Sequence, residues 1–469
     1  MGASGAILAT LVAYHLALLG IGVWAARRTR GGEDFHLGGR GLGPWVAALS
    51  SAASSSSAWT LLGVSGAAWG LGLAALWLFP ACLGGFALNW YLVAGRLRRA
   101  SVREGSLTLL EFLAGGLPPP WRRRFLQPAA AIVLLSLGAY VASQFQAAGK
   151  TFAASLDVET GPAVVLGAVL ILAYTLLGGF WAVSLTDCLQ GLVMAAASVL
   201  VPGAALLAVG GPAGMLAGLR EAGLDDPFGA SGGLAAGLGL VAGFLGIGLG
   251  YPGQPHVVNR FMALRSEEEV ARGRRIALGW AMVIYSGMLV TGWCARSLLD
   301  PGLEDREQAL ILLTSELFPP VVAGVIVAAV LSAIMSTADS QLLVCASTLS
   351  HDLGRRGAGG RAVLQGRLAV LAVTAAATVA ALLVEETIFR SVLFAWSGLG
   401  AAFGPLLLVR LLRGPVRPPW SLAAMLAGFA VSVVWYETPA LKARMYELVP
   451  AFLVALVLAV AGSRRARSA

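Results

Sequence analysis

Runs of about twenty residues with few or no charged side chains recur along almost the whole chain, and twenty apolar residues is what a helix needs to cross a bilayer. About thirteen such segments can be drawn, at 5–26, 44–70, 73–95, 126–148, 161–182, 188–210, 233–254, 275–297, 317–350, 365–384, 392–412, 419–436 and 446–463. In hydrocarbon every backbone donor and acceptor must be satisfied within the protein, so spanning segments of this kind fold as helices. The expectation is an all-α polytopic membrane protein with one transmembrane domain over residues 1–469.

Composition agrees with that class. Hydrophobic residues make up 58% of the 469 and charged residues only 12%, against about 25% in a soluble domain. The 60 glycines suit close helix–helix contact. The net charge of +9 is no nucleic-acid signal, because its arginines cluster in short loops, where they set topology. Arg27, Arg28, Arg30 and Arg40 follow the first span, and Arg96, Arg98, Arg99 and Arg103 the third. Arg260, Arg265, Arg272, Arg274 and Arg275 follow the seventh, Arg355 and Arg356 the ninth, Arg410 and Arg413 the eleventh, and Arg464, Arg465 and Arg467 end the chain. Intervening loops are arginine-poor or acidic, as at Asp300, Glu304, Glu385 and Glu386. The positive-inside rule then puts the N-terminus outside and the C-terminus in the cytoplasm of a cell-membrane protein. The first run lacks a basic start and reads as a span rather than a cleaved leader. Cys82, Cys188, Cys294 and Cys345 have no metal-type spacing and read as small core residues.

Two stretches are too polar for their depth. Six of the eight residues from Ser50 to Ser57 are serine, and Trp59 and Gly63 follow. In the ninth span, Ser332, Ser336, Asp339, Ser340, Leu343 and Ser347 recur at steps of three and four, which is one helical face. Serines can bond back to their own helix or join neighbouring helices. Asp339 shifts the weight toward an ion path, since a carboxylate at a helix centre costs about 2.5–3.5 kcal/mol on insertion scales. Hard oxygens in such numbers suit an alkali cation by analogy with other hard cations.

Asp187 falls between two expected spans, either as a first-turn acid with Ser184 as cap or as a cation ligand that meets the ninth span. Tyr251-Pro-Gly-Gln254-Pro-His256 cannot continue a regular helix and is read as the end of the seventh span. His256 is a structural donor or a proton relay. Trp59, Tyr140 and Gln144 are candidate pocket walls. Spans two and seven, five apart, are both interrupted, which is the mark of inverted-repeat transporters. No nucleotide loop, metal cluster or nucleophile–base pair points to an enzyme or a cofactor.

Taken together, four segments resemble the sodium/solute symporter family, most nearly its sodium/proline symporters. They are Ala48–Gly66, Gly178–Gln190, Gly250–Met262 and Ser332–Ser347. The resemblance implies a leucine-transporter-like 5+5 inverted-repeat core: an extra helix and loop in 1–43, repeat one in 44–210, repeat two in 233–412, and two C-terminal helices in 413–469. It implies one sodium site from the carbonyls of Ala53, Ser56 and Ala333 with the hydroxyls of Ser336 and Thr337. It implies a second, found in some members, at Asp187, Ser336, Asp339 and Ser340. The substrate pocket would match Ser55, Ser57, Trp59, Gly63, Tyr140 and Tyr251. Two positions depart from proline symporters: Ser55 stands for an aspartate and Ile247 for a tryptophan. Other family members lack that aspartate and use sodium, so sodium stays the expected ion and a small amino or imino acid the expected solute, with another small carboxylate next.

Two alternatives differ in kind. Proton coupling would run through Asp187, Asp339 or His256. A sensor would bind solute for a signalling partner, a reading the short stretch after the last span disfavours. No nucleic acid and no obligate protein partner is implied.

Overall fold

Two breaks in otherwise continuous membrane helices organise the molecule. The computed structural model describes residues 3–26, 37–156, 158–177, 180–229, 233–353, 360–383 and 387–463, and their regular elements are helical. Arg27, Arg28, Arg30, Arg355, Arg356, Arg464, Arg465, Arg467, Glu385 and Glu386, used above for orientation, lie outside the described residues.

Helix α1 spans Ala3–Ala26, and α2, Pro44–Ser55, opens with proline at its first turn, where the missing N–H costs nothing. The chain leaves helical geometry at Ser56 (φ −114°, ψ 78°) and resumes through a π-type turn, Trp59–Gly63, into α3, Val64–Leu71. Gly72 then turns the chain at φ +57°, where a Cβ would sit 2.1 Å from the Leu224 carbonyl oxygen, so only glycine fits. Helices α4, Leu78–Leu88, and α5, Ala94–Glu104, continue back across. The short α6, Leu109–Ala114, precedes the 38-residue α7, Pro119–Leu156, then α8, Thr160–Leu177, and α9, Phe180–Ala208.

After α10, Gly211–Glu221, the pattern repeats. Helix α11, Gly233–Gly246, runs into a 3-10 segment, Ile247–Gly253, leaves helical geometry at Gln254 and restarts as α12, Pro255–Met262. The sequence reading ended the seventh span at this point. In fact Pro255 occupies the first turn of a new helix, the one helical place that tolerates it. Helices α13, Glu268–Leu298, α14, Ala309–Leu317, α15, Pro320–Ser347, α16, Gly360–Leu383, and α17, Ile388–Arg413, complete the second half. Helices α18, Pro418–Glu437, and α19, Leu448–Gly462, follow.

Among the described residues ten helical stretches are long and apolar enough to cross a bilayer, and Thr160–Ala173 and Leu448–Gly462 are shorter apolar helices. The expected spans 44–70 and 73–95 contribute most of one continuous stretch, Trp59–Glu104. Helices α7, α8, α15 and α16 pack on one another as one group, and the two broken helices pack with α4 and α13 as another. Helices α9 and α17 bridge the groups, and α1 lies outside against α15 and α9. This is the leucine-transporter-like architecture that the resemblance implied.

The groups meet where glycine removes side-chain bulk. At Gly250 a Cβ would lie 2.1 Å from Trp396 Nε1 on α17, and that nitrogen donates to the Ile247 carbonyl at 3.0 Å. Gly250→Val should force the indole away and lower stability by about 1–3 kcal/mol through overpacking. Thermal unfolding of purified protein in detergent checks this; an unchanged melting temperature would reject the close approach.

Candidate functional site

Breaking a helix inside a membrane frees backbone groups that water cannot reach. The first break is answered by side chains. Ser57 Oγ accepts from the Trp59 N–H at 3.1 Å, and Gln144 Oε1 on α7 accepts from the Ala58 N–H at 3.1 Å. Tyr140, one turn earlier on α7, donates its hydroxyl to Ser57 Oγ at 3.1 Å. At the second break the freed groups are carbonyls. Asn89 Nδ2 donates to Tyr251 O at 3.1 Å, and Gln254 Nε2 to Gly250 O at 3.2 Å and Trp396 O at 3.0 Å.

The first sodium set converges at the inner side of the first break. Ser336 Oγ on α15 donates to Ala53 O at 3.3 Å and to Ala333 O at 3.4 Å. Thr337 Oγ1 donates to Ser54 O at 3.1 Å, and the Ser56 N–H reaches Ala53 O at 3.1 Å. Ala53, Ser56, Ala333, Ser336 and Thr337 are all fully buried. Ser336 and Thr337 of α15 thus meet the backbone at the end of α2, with Ala333 and Ser56 joined to the same atoms. A hard cation takes such oxygens, and the hydroxyls, which now donate to the carbonyls, can turn to present lone pairs. Ser332, on the same face of α15, instead shares a hydrogen bond with Tyr14 of α1 and donates to Ala328 O at 2.7 Å.

The second set is also drawn together, but with an added member. Asp187 Oδ2 accepts from Ser50 Oγ at 2.7 Å, Ser54 Oγ at 3.2 Å and Arg260 Nη2 at 3.0 Å. Ser340 Oγ donates to Asp339 Oδ1 at 3.1 Å, shares a hydrogen bond with Ser54 Oγ, and accepts from Arg260 Nη2. Ser336 is turned to the first set. Asp187 lies two turns inside α9 rather than at its start, so the helix-cap alternative does not hold, and Ser184 Oγ has no partner among the described residues. Arg260, counted in the sequence as a loop arginine, is 1% exposed. A carboxylate in a membrane helix calls for a counter-charge; that was the available signal. Removing either partner of such a pair costs about 3–5 kcal/mol.

Beside the first break lies a cavity of about 10 Å³, room for about one water molecule. Ser55, Trp59, Tyr140 and Tyr251 line it as expected, joined by Ile247 and by Val392, Leu393 and Trp396 of α17. Those three carried no polar or periodic signal. Ser57 sits behind the wall and holds Tyr140, while Gly63 backs the indole of Trp59. Ser55 Oγ donates to Ala52 O at 2.9 Å. Tyr251 packs edge-on to Trp396 at 4.8 Å and shares a 3.0 Å hydrogen bond with Tyr285. His256 is fully buried, edge-on to Tyr140 at 6.2 Å; neither ring nitrogen has a hydrogen-bond partner among the described residues, so the donor role expected of it is not seen.

Two further sets of contacts tie the helices together. On one side Phe389 stacks on Trp59 at 5.5 Å, under Glu307, which accepts from the Ile388 and Phe389 N–H groups at 3.1 and 2.8 Å and pairs with Lys150 at 2.9 Å. On the other side Arg40 donates to Met262 O at 3.0 Å and Ser106 O at 2.8 Å, and Arg98 donates to Leu264 O. Replacing Gln144 with leucine leaves the Ala58 N–H without its acceptor and should cost about 1–3 kcal/mol. A thermal melt of Gln144→Leu equal to wild type would show that the first break does not depend on α7.

Three comparisons bear on this geometry. The model of the sodium:solute symporter family matches residues 35–428. The high-affinity proline transporter PutP of Bacillus subtilis is 39% identical over 453 residues, 94% of each chain. The sodium/proline symporter of Escherichia coli is 34% identical over 97% of this chain and 92% of its own. Among solved structures, a Na+-coupled sialic acid symporter in a substrate-bound outward-open state superposes with a TM-score of 0.82 at 18% identity, over 98% of this chain and 99% of that one.

Proposed function

Because the chain belongs to the sodium:solute symporter family, we propose that it imports L-proline, or an amino acid of similar size, together with sodium by alternating access. The reading rests above all on the approach of Ser336 and Thr337 to the backbone at the first break, directly beside a closed aromatic cavity. The chain's relatives transport proline by their names. Ile247 and Ser55 replace a tryptophan and an aspartate of proline symporters without opening the wall.

In this reading sodium is bound by the carbonyls of Ala53, Ser56 and Ala333 and the hydroxyls of Ser336 and Thr337. It replaces the present hydroxyl–carbonyl bonds and ties α2 to α15. Solute binds next to it, with Trp59, Tyr140 and Tyr251 around the ring and Ser55 near the polar end, while Ser57 holds Tyr140 from behind. Sodium favours one state only through its higher affinity for that state. One positive charge moving inward across 100 mV contributes about 2.3 kcal/mol, close to fifty-fold in solute gradient.

The N-terminus faces outward and the C-terminus the cytoplasm, with about thirteen spans over the chain. The mutual contacts of Arg40, Arg98, Arg99 and Arg410 with residues 101–115 and 262–267 gather positive charge at one end and support this orientation.

The test is uptake of labelled proline into proteoliposomes with and without an inward sodium gradient, alongside other amino acids and small carboxylates. Proline should accumulate only with the gradient. The double variant Ser336→Ala, Thr337→Ala should fall to the sodium-free rate while retaining its fold. Sodium-driven uptake at the wild-type rate in that variant would remove the site from the mechanism.

A further inference from the structure

We propose that a groove between α5 and the C-terminal end of α17 binds the phosphodiester of an anionic phospholipid, at the arginine-rich end assigned above to the cytoplasm.

The groove holds about 330 Å³, at the lower end of the roughly 300–1,000 Å³ of ligand pockets. Arg96, Arg99 and Arg103 of α5 and Arg410 of α17 line it, together with Glu104 and with Phe112 of α6. The three arginines of α5 are spaced three and then four apart, so one face of the helix carries them all.

These groups are not equally committed. Arg410 is fixed in place. Its Nη1 donates to Gly115 O at 2.7 Å, its Nη2 to Glu104 Oε2 at 2.8 Å, and its guanidinium lies over the Phe112 ring at 4.7 Å. A Cβ on Gly115 would lie 2.6 Å from that Glu104 oxygen, so a bare backbone lets the pair sit there. Arg99 pairs with Glu267 at 2.7 Å. Arg96 spends only Nη1, on the Tyr91 and Leu92 carbonyls of the turn before it, at 3.2 and 3.0 Å. Arg103 has no hydrogen-bond or ion-pair partner among the described residues. Arg96 and Arg103 thus bring positive charge that no carboxylate among the described residues offsets. A phosphodiester is anionic at every physiological pH, and guanidinium groups grip its oxygens through paired N–H donors.

Location selects a lipid over a soluble anion. The membrane stretches Trp59–Glu104 and Ile388–Arg413 both end at this groove, which is the level of the headgroups. Basic pockets between spanning helices at the cytoplasmic side suit anionic headgroups. Val102 and Leu412, next in sequence to Arg103 and Leu411, are exposed and offer apolar surface to acyl chains. Tyr91 is also exposed, with the Arg274 guanidinium 4.0 Å above its ring, as befits an aromatic at the membrane interface. A lipid held here joins the end of α5 to the end of α17, whose other end carries Phe389 onto Trp59.

The melting temperature of purified full-length protein in neutral detergent is followed against three additives. They are phosphatidylglycerol, phosphatidylcholine with the same acyl chains, and inorganic phosphate. Phosphatidylglycerol should raise it saturably, and the other two should not. Native mass spectrometry should show phosphatidylglycerol retained in preference to phosphatidylcholine. Arg103→Gln breaks no described contact and should need about five-fold more lipid for half the shift. Arg96→Gln combined with Arg103→Gln should lose the shift. Arg272→Gln combined with Arg275→Gln removes as much charge outside the groove and should keep it. An equal shift with phosphatidylcholine would reduce the effect to general solvation by lipid. An equal shift with inorganic phosphate would make the groove a site for soluble anions. An unaltered response in the Arg96→Gln, Arg103→Gln protein would put the lipid elsewhere. Each of these three results overturns the proposal. Neither readout involves sodium or proline, so a failure here leaves the coupling reading standing.

Discussion

Everything in this molecule follows from the demand that backbone groups freed in the membrane find partners inside the protein. Two helices stop short of completing their ladders, at Ser56 and at Gln254. Such breaks are sustainable only because other elements supply the missing donors and acceptors. Gln144 and Ser57 accept from the amides of the first, and Asn89, Gln254 and Trp396 donate to the carbonyls of the second. Both sets of partners come from neighbouring helices as well as from the broken segments themselves. The breaks thus bring α4, α7 and α17 to the centre, where Tyr140, Tyr251 and Trp396 help to wall the aromatic cavity.

The same economy explains the serine-rich segments. A hydroxyl both donates and accepts, so Ser336 and Thr337 can satisfy backbone carbonyls in one condition and turn toward a cation in another. A carboxylate in their place could not donate, and an ammonium could not accept. The cation cluster around Asp187 works differently. Its charges are permanent and mutually compensating, and its serines link α2, α9, α12 and α15 into one buried unit. The two clusters lie side by side and share Ser54, whose carbonyl meets Thr337 and whose hydroxyl meets Asp187.

Much of this could be read in the chain itself. Apolar length fixes the membrane class, and the serine run and the Gly-Tyr-Pro-Gly-Gln-Pro stretch mark both breaks, because residues that compete with or cannot join a helical ladder leave a clear signature. The hydroxyl face of α15 was equally visible from its periodicity. Three things were not. Arg260 looked like any loop arginine, since the proline before it was taken as the end of a span and not as the first turn of another helix. Asp187 kept a reading as a first-turn acid beside that of a cation ligand, because the start of α9 falls eight residues earlier than hydropathy suggests. Val392, Leu393 and Trp396 became cavity walls only through the crossing of α17 over the second break; an apolar residue carries no mark that tells lining from filling.

Glu307 draws two distant parts of the chain to a single carboxylate. It holds Lys150 at the far end of α7 and, at once, the first amides of α17, with Asp305 gripping the same ammonium at 2.8 Å. A movement that carries the start of α17 away from Glu307 breaks contacts of the same carboxylate that holds the ammonium, for both anchors are fastened to one short turn. The end of α7, the turn at Asp305–Glu307 and the start of α17, which carries Phe389 onto Trp59, are thus held at a single joint.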